Sequence, residues 1–280
     1  MSLSFYENHI HKDPDFPIIF HLDIVKSKFN DFTMHWHESI ELLYFIEGEG
    51  AIICSGKEIK GKKGDLIVIN SNDLHCIKSI TLSCSYYCLI IDKNYCNNFG
   101  LNILNINIKN IIKDSIASNY FEDIIKEMKY KNIYYKSSVK VLSINLLIHL
   151  IRNYIINLKH ISYSSKEQRK IDLVKSALNY INSNYRKDIS IDTISSYVGC
   201  SKYYFCHVFK EITGKTIISY INYLRCNNAR KLLASGNYNV YESAELNGFN
   251  NMSYFSKTYK KYMGKSPSKD SKINFNNSNL

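Results

Sequence analysis

Apolar residues recur with helical spacing in two stretches of the chain, residues 201–216 and 251–266, whose sequences match at an offset of fifty residues. Each stretch repeats its apolar side chains at intervals of three or four, which is typical of a short helix that buries one face and exposes the other. The apolar positions are Phe205, Val208, Phe209 and Ile212 in the first copy and Phe255, Tyr259 and Tyr262 in the second. The pattern predicts a repeated unit with one outward face per helix.

Each of these helices follows a shorter predicted helix and a turn that contains glycine. Ser190 and Asn239 are suited to cap the shorter helices, and Gly199 and Gly248 lie in the turns. A helix, a tight turn and a second helix with a polar outer face form a helix-turn-helix unit, whose second helix enters the major groove of DNA. We therefore predict two such units, at 190–214 and 239–264. A helix between them would have to hold the two recognition helices roughly 34 Å apart for both to contact one face of a duplex.

Residues 16–91 show a different pattern, with short apolar runs that are rich in β-branched and aromatic residues. The runs are 18–20, 40–46, 51–54, 66–69 and 86–91, and they alternate with turn signals at 48–50, 55–56, 61, 64–65 and 71–73. Many short strands joined by tight turns favour an antiparallel β-barrel or jelly roll. Helical spacing returns over 118–131 and 137–158, and the polar, serine-containing residues 159–169 are typical of a linker.

The predicted chain is therefore an α+β multidomain protein. Residues 1–100 form the antiparallel β-barrel or jelly roll, 101–165 a helical linker, and 166–269 an all-α domain with the two helix-turn-helix units. Residues 270–280, which are dominated by Asn and Ser, form a disordered tail.

The net charge of +11 is unevenly distributed along the chain. From Lys166 onward there are 18 Lys and Arg against 8 Asp and Glu, whereas the first 165 residues carry 18 against 17. Nearly all the excess positive charge thus accompanies the repeated helices, as expected for contact with DNA phosphates.

The sequence contains neither a recognisable signal peptide nor an apolar run free of polar residues that could span a membrane, and its eight cysteines form no C-x-x-C pair. We expect a cytoplasmic protein with free thiols and no membrane partner.

A second candidate site lies in the strand-rich part. His35 and His37 share one face if that segment is extended, and Glu41 joins them if the strand stays regular. Together with His75 they could hold a divalent metal. Alternatively, they could line an effector pocket with Tyr44, or simply pack in the core.

The C-terminal motifs resemble the AraC-type transcriptional regulators. The resemblance covers about the last hundred residues and rests on an ordered set: Tyr204-Phe205, Phe209-Lys210, Thr213-Gly214, Arg225, Ala229-Arg230, Leu232-Leu233, Gly248-Phe249, Ser253-Tyr254-Phe255, Lys260-Lys261, Gly264 and Ser266-Pro267. Ser195, Ser243 and Asn247 depart from the family's apolar pattern. Because buried polar groups without partners are costly, we expect the second unit to bind DNA less tightly.

The stretch from His35 to His75 resembles the cupin motifs, although Asn70 and Ser79 stand where Pro and Asn are expected. Together the two resemblances imply a sequence-specific DNA-binding regulator with a cupin-like sensor domain at 1–100. They imply control by a small-molecule effector, such as a sugar, and more often activation than repression. They also imply promoter DNA and RNA polymerase as partners, and a homodimer formed through 101–165; alternatively, the helices of that segment pack on their own barrel. We expect neither catalytic residues nor a cofactor.

The resemblance assigns roles to individual residues. Contacts to base edges are expected from Tyr203, Cys206, His207, Met252, Ser253, Ser256 and Lys257, and contacts to phosphates from Lys210 and Lys260. Effector binding is expected from His35, His37, Glu41, Tyr44 and His75.

Two other classes of function remain open at this point. A metal-dependent cupin enzyme fused to a DNA-binding domain would lose turnover on substitution of His37. A non-specific architectural DNA-binding protein would show a steep salt dependence without sequence preference, and the elaborate N-terminal domain counts against it.

Overall fold

The computed structural model describes residues 13, 15–26, 34–158 and 166–271. These residues form two compact units, one before residue 166 and one from Lys166 onward. Within the described ranges, no helix combines the length and the apolar character needed to cross a membrane. Residues 159–165 of the predicted linker and 272–280 of the predicted tail lie outside the described residues, whereas 166–169 of that linker are helical.

The N-terminal unit is built on antiparallel strands. In chain order these are β1 (Ile18–Lys26), β2 (Ile40–Glu47), β3 (Glu49–Cys54), β4 (Lys57–Lys62), β5 (Leu66–Ile69), β6 (His75–Ser79), β7 (Ser83–Ile91), β8 (Ile106–Ile108), β9 (Ile111–Ile112) and β10 (Ile155–Leu158). Five of them form a sheet in the order β1-β7-β2-β5-β9, three form a sheet in the order β4-β3-β6, and β8 pairs with β10. This confirms the predicted antiparallel, strand-rich domain.

Strand β2 lies at the centre of this unit because both of its faces are buried. Leu43 and Phe45 pack with residues of the three-stranded sheet, such as Ile52. Leu42 and Tyr44 point to the opposite face, where they join a core that includes the helices. A strand covered on both sides needs a continuous apolar run instead of an alternating one, which explains the sequence of β2.

The two sheets approach closely at a pair of glycines. Gly50 and Gly61 are paired across β3 and β4, and the ring of Phe45 fills the space beside them. A Cβ atom would lie 2.8 Å from that ring at Gly50 and 2.7 Å from it at Gly61. The two glycines, which the sequence assigns to turns, therefore lie in strands and are required by packing between the sheets.

The described part of the N-terminal unit also has three α-helices, α1 (Lys93–Asn98), α2 (Ser115–Tyr130) and α3 (Tyr135–Tyr154), and a 3-10 turn at Ile103–Asn105. The last two pack on the five-stranded sheet in a single core, to which Phe121 and Leu147 contribute. The helix predicted over 137–158 ends at Tyr154, because Ile155 has an extended backbone and the residues that follow pair with β8. A short apolar run does not by periodicity alone distinguish strand from helix.

In the C-terminal unit, every regular element within residues 166–271 is a helix. Its helices are α4 (Lys166–Asn184), α5 (Ile191–Tyr197), α6 (Lys202–Thr213), α7 (Ile217–Ser235), α8 (Val240–Glu245), α9 (Met252–Met263) and α10 (Pro267–Ser271). The pairs α5–α6 and α8–α9 are the two predicted helix-turn-helix units. Ser201 and Asn251 cap the second helix of each pair with their side chains, and Gly214 and Gly264 end these helices with left-handed φ values of 70° and 76°.

Asp270, which the sequence places in the tail, lies instead in α10. Its carboxylate accepts a hydrogen bond of 2.7 Å from the hydroxyl of Tyr259 and forms an ion pair with Lys265. Because Tyr259 belongs to the core of the second helix-turn-helix unit, the ordered domain includes this residue.

The three polar residues that depart from the family pattern, Ser195, Ser243 and Asn247, differ in whether their buried polar groups have hydrogen-bond partners. The Ser195 hydroxyl donates to the carbonyl oxygen of Asp192 at 3.0 Å, and the Asn247 amide donates to the carbonyl oxygen of Ser243 at 2.8 Å. The Ser243 hydroxyl is buried and has no hydrogen-bond partner among the described residues. Of the three, Ser243 is therefore the residue that is expected to lower the stability of the fold.

We predict that Ser243→Ala raises the free energy of unfolding by about 1 kcal/mol, because it removes an unsatisfied hydroxyl. Ser195→Ala is the matched control: it also replaces a helical serine with alanine but removes a satisfied hydrogen bond. Urea unfolding followed by the helical circular dichroism signal should rank Ser243→Ala as the more stable variant. The opposite ranking would contradict the assignment.

Candidate nucleic-acid interface and candidate metal centre

Helix α6 buries its apolar stripe and turns the predicted DNA-contacting residues outward. Tyr203 is 85% exposed, His207 and Lys210 are exposed, and Cys206 is partly exposed. This arrangement follows from the helical repeat, since these four residues lie between the positions of the buried stripe. The structure thus places all four on one accessible surface of the first unit.

Helix α9 presents the corresponding surface of the second unit. Ser253, Ser256, Lys257 and Lys260 are exposed, as predicted from the spacing. Met252 differs, because it is partly buried and packs against the core of this unit. The structure therefore brings four of the five predicted residues of α9 onto one exposed face.

The two recognition helices differ in how their charges are balanced. On α6, Lys202 forms an ion pair with Asp192 at 2.8 Å, and Glu211 binds Lys170 at 2.8 Å and lies 3.9 Å from His207. Helix α9 contains no acidic residue. Its three lysines, Lys257, Lys260 and Lys261, form no ion pair with any carboxylate that the structure describes. The face of α9 is therefore the less neutralised of the two.

Sequence reasoning missed a contact that holds α9 in place. The amide of Asn222 on α7 donates a hydrogen bond of 2.7 Å to the hydroxyl of Tyr254 on α9. Tyr254 is half exposed, so this bond orients a large side chain at the edge of the recognition surface. The two residues are thirty-two positions apart, and no local pattern links them.

In the N-terminal unit, four predicted residues come together. One possible ligand atom from each of His35, His37, Glu41 and His75 lies within 4.8 Å of the others. Glu41 projects from β2 and His75 begins β6, while a backbone bridge pairs His35 with His75. Three of the four side chains are buried, and His35 is partly exposed. This group, called the histidine–glutamate cluster below, has the donor types that suit a divalent transition metal.

Backbone carbonyls orient two of the imidazoles. The Nδ1 atom of His37 lies 3.0 Å from the carbonyl oxygen of Ser39, and the Nδ1 atom of His75 lies 2.8 Å from that of Asp73. Because a carbonyl only accepts, each Nδ1 carries the hydrogen, and the neutral ring presents its Nε2 lone pair to the cluster. Histidines that bind metals are commonly oriented in this way.

Both Nε2 atoms face the same carboxylate oxygen. Oε2 of Glu41 lies 3.0 Å from Nε2 of His37 and 3.0 Å from Nε2 of His75. The contact from His37 is a hydrogen bond, whereas the buried Nε2 of His75 has no hydrogen-bond partner among the described residues although it lies this close to the carboxylate. An imidazole lone pair that faces a carboxylate is repelled by it, so this geometry requires a proton or a cation between the nitrogen and the oxygen, and a bound cation fits it.

The pKa shifts in the cluster also indicate that a positive charge is needed beside the Glu41 carboxylate. Burial alone would raise the pKa of Glu41, but contacts with His37 and His75 outweigh it and hold that pKa well below its ordinary value. Burial alone would lower the pKa of His75, but contact with Glu41 outweighs it and raises that pKa. Without metal, the cluster thus favours an ionised carboxylate beside a protonated imidazole. A divalent cation would take the place of that proton.

Two further residues change the composition of this site. Cys88, which the sequence did not indicate, donates its Sγ–H to Oε1 of Glu41 at 3.2 Å. Tyr44, which the sequence placed in the same pocket, lies on the opposite face of β2, where its hydroxyl donates to Glu122 on α2 at 3.0 Å. Because Glu41 pairs with Ile90 on β7, Cys88 is its diagonal neighbour on the same face. Only the strand register identifies that neighbour.

Comparison with known families agrees with this division of the chain. Residues 194–272 match the family described as a helix-turn-helix domain, and residues 24–89 match the cupin domain family. The first match begins within α5 and covers both recognition helices. The second contains the whole histidine–glutamate cluster.

Similar proteins carry regulator names. The chain is 24% identical over 278 residues to YdeC of Bacillus subtilis, named an uncharacterized HTH-type transcriptional regulator, and the alignment covers 94% of each chain. It is 41% identical over 106 residues to an uncharacterized HTH-type transcriptional regulator of Pseudoalteromonas carrageenovora, which covers 37% of this chain and 63% of that one. Among solved structures, ToxT of Vibrio cholerae aligns over 90% of this chain and 94% of its own, with 14% identity and a TM-score of 0.46.

The two domain matches and the full-length relative confirm the resemblance that the sequence motifs carried. The protein therefore combines a helix-turn-helix domain, which resembles that of the AraC-type transcriptional regulators, with an N-terminal cupin domain.

Proposed function

We propose that this regulator binds promoter DNA sequence-specifically through α6 and α9, and that a ligand of its cupin domain controls the outcome. The observation that carries the DNA-binding proposal is the pair of exposed polar helix faces, one of which bears three lysines without described ion pairs. Such faces attract the phosphate backbone and place side chains at the edges of the bases.

The composition of each face suggests a division of roles. On α9, Lys257 is flanked by the small side chains of Ser253 and Ser256, which leaves it room to reach the acceptors of guanine in the major groove. Lys210 and Lys260 lie toward the ends of their helices and bind phosphates. On α6, Tyr203 and Cys206 offer few strong donors, so this helix depends more on apolar contact and on DNA shape.

For the cupin domain, the ligand that the geometry supports best is a divalent cation. The donor atoms of the histidine–glutamate cluster lie too close together for a sugar to enter between them, whereas an ion fits. Bound there, the cation would link β2, β6 and the segment before β2, and so stabilise one arrangement of the cupin domain. A small-molecule effector could then bind to the ion through the side on which His35 is partly exposed.

We also propose, from the resemblance, that the protein acts as a cytoplasmic homodimer and activates transcription by contacting RNA polymerase. The surface formed by α2, α3 and the turn between them supports the dimer. Ile133, Tyr134 and Val141 expose 86%, 78% and 59% of their surfaces there, although the helices are otherwise packed on the sheet.

A second candidate function is a metal-dependent cupin enzyme joined to the DNA-binding domain. It is favoured by the same cluster, because a metal with three or four protein ligands can also bind a substrate. The regulator requires that the ion change DNA binding. The enzyme requires turnover that is lost when His37 is replaced.

The DNA-binding proposal predicts distinct effects for two lysines of α9. Against a site selected from random DNA, Lys257→Ala should weaken binding by about 1–3 kcal/mol and relax the sequence preference. Lys260→Ala should weaken all DNA about equally and reduce the salt slope by about 1. Fluorescence anisotropy at several salt concentrations measures both effects.

The matched control is Lys202→Ala, because Lys202 is already paired with Asp192. It should change affinity less than either substitution on α9. If both α9 variants bind like the wild type, α9 is not the DNA-contacting helix.

The metal proposal predicts a stoichiometric divalent ion that depends on the cluster. At about a hundred times its dissociation constant, the ion should add about 2.7 kcal/mol to the stability of the cupin domain. Metal analysis and thermal melting with zinc, manganese, nickel and a chelator would measure this for the wild type and for His75→Gln, which should lose the ion. His21→Gln, an exposed histidine on β1, is the matched control and should retain it.

Sugars and other metabolites belong in the same melting screen. Stabilisation by an organic molecule in the absence of metal would overturn the metal assignment in favour of an effector pocket. For a regulator, promoter affinity must also differ with and without the ligand, because coupling requires different affinities in the two states.

A further inference from the structure

Helix α4 and the loop that follows it together contact both helix-turn-helix units and the helix α7 between them. Helix α4 packs against α5 and α6 of the first unit, and its loop continues through Tyr185, Arg186 and Lys187. Arg225, in the middle of the connecting helix α7, donates from Nε to the carbonyl oxygen of Tyr185 at 2.7 Å and from Nη2 to that of Lys187 at 2.8 Å.

The carbonyl of Arg186, which lies between those of Tyr185 and Lys187, contacts the second helix-turn-helix unit. A Cβ atom on Gly248, in the turn between α8 and α9, would lie 2.5 Å from the carbonyl oxygen of Arg186. The guanidinium of Arg225 also lies 5.9 Å from the ring centroid of Phe249 in the same turn. Three consecutive carbonyls of the loop after α4 thus contact α7 and the turn of the second unit, and glycine is what allows the middle carbonyl to approach.

These contacts complement a second attachment of the first unit to α7. Phe209 of α6 packs edge-on against Tyr220, near the start of α7, with ring centroids 5.7 Å apart. Tyr220 and Arg225 are five residues apart, which corresponds to about 7.5 Å along a helix axis. A single attachment would let the first unit pivot about the turn before α7, whereas two attachments fix its direction. The second unit packs directly on α7 through Tyr223 and Cys226.

The chemistry of Arg225 suits this role better than DNA contact. Burial lowers the pKa of Arg225, although the charge of Asp188 acts in the opposite direction, and a guanidinium remains protonated in proteins. Its fork of donors is directed at two carbonyls, an arrangement that a lysine ammonium, with a single nitrogen, reproduces only in part.

We propose that Arg225 is a positioning residue that sets the separation and orientation of the two recognition helices, and hence the half-site spacing that the protein accepts on DNA. The proposal rests on the proposed DNA-binding function, since it concerns how α6 and α9 act together. Two binding units on one chain gain affinity over either alone only when their geometry permits both to engage.

The test compares full-length wild type with Arg225→Lys. A site is first selected by the wild type from a random DNA pool, and it is then rebuilt with one half-site scrambled and with one or two base pairs inserted or deleted between the half-sites. Gel-shift titration gives the affinity for each DNA, and thermal melting monitors the fold. Arg186→Lys is the matched control, because its Nε bonds the Tyr185 hydroxyl within the same loop and not a group of α7.

We expect Arg225→Lys to bind the single half-site as the wild type does. The ratio of its affinity for the complete site to its affinity for the single half-site should fall by about tenfold or more. Its preference among the spacing variants should also flatten, whereas Arg186→Lys should keep the wild-type preference. An unchanged spacing preference in Arg225→Lys would overturn the proposal. So would an equal loss on single and complete sites, which indicates a merely structural role.

Different results would contradict the DNA-binding proposal and the Arg225 proposal. If the wild type selects no sequence from the pool, the proposed DNA-binding function itself is wrong. If the wild type selects a site with a defined spacing and Arg225→Lys keeps that spacing, only the role of Arg225 is wrong.

Discussion

Strand β2 is the element on which the N-terminal unit depends, because it is buried on both faces. One face supplies Leu43 and Phe45 to the core between the sheets, and the other supplies Leu42 and Tyr44 to the core beneath α2 and α3. Glu41 projects from the first face, so its carboxylate is enclosed with imidazoles instead of solvent. A buried carboxylate needs a compensating proton, cation or set of donors, and this requirement makes the histidine–glutamate cluster a candidate metal centre.

The same strand offers a physical connection between the cluster and the helices. Glu41 and Tyr44 lie on opposite faces of β2, and the Tyr44 ring stacks on Phe121 of α2 at 5.2 Å while its hydroxyl donates to Glu122. A change in the position of β2 would therefore be transmitted to α2 by both packing and a hydrogen bond. In a ligand-controlled regulator, a change in the histidine–glutamate cluster would therefore first displace the helices that pack on the sheet.

In the C-terminal unit, the constraint is the relation between two similar helices. Their individual faces follow from helical periodicity, but their combined effect on DNA depends on a rigid connection. That connection consists of a continuous α7, the packing of Phe209 on Tyr220, and the bonds of Arg225 to the loop after α4. If both helices bind DNA as proposed, the less neutralised α9 supplies more of the attraction to phosphate, which opposes the weaker binding expected of the second unit from its polar departures.

The sequence by itself determined the features that depend on near neighbours in the chain. Helical spacing and capping residues such as Ser201 and Asn251 located the recognition helices, and the run of short strands indicated the antiparallel domain. The spacing of His35, His37 and Glu41 indicated a site. Tertiary structure alone decided which distant groups meet: it separated Tyr44 from the cluster, added Cys88, left the Ser243 hydroxyl without a described partner and directed Arg225 at the loop of α4. Periodicity assigns a side chain to a face, whereas strand register and helix packing, which join residues far apart in the chain, determine what that face contacts.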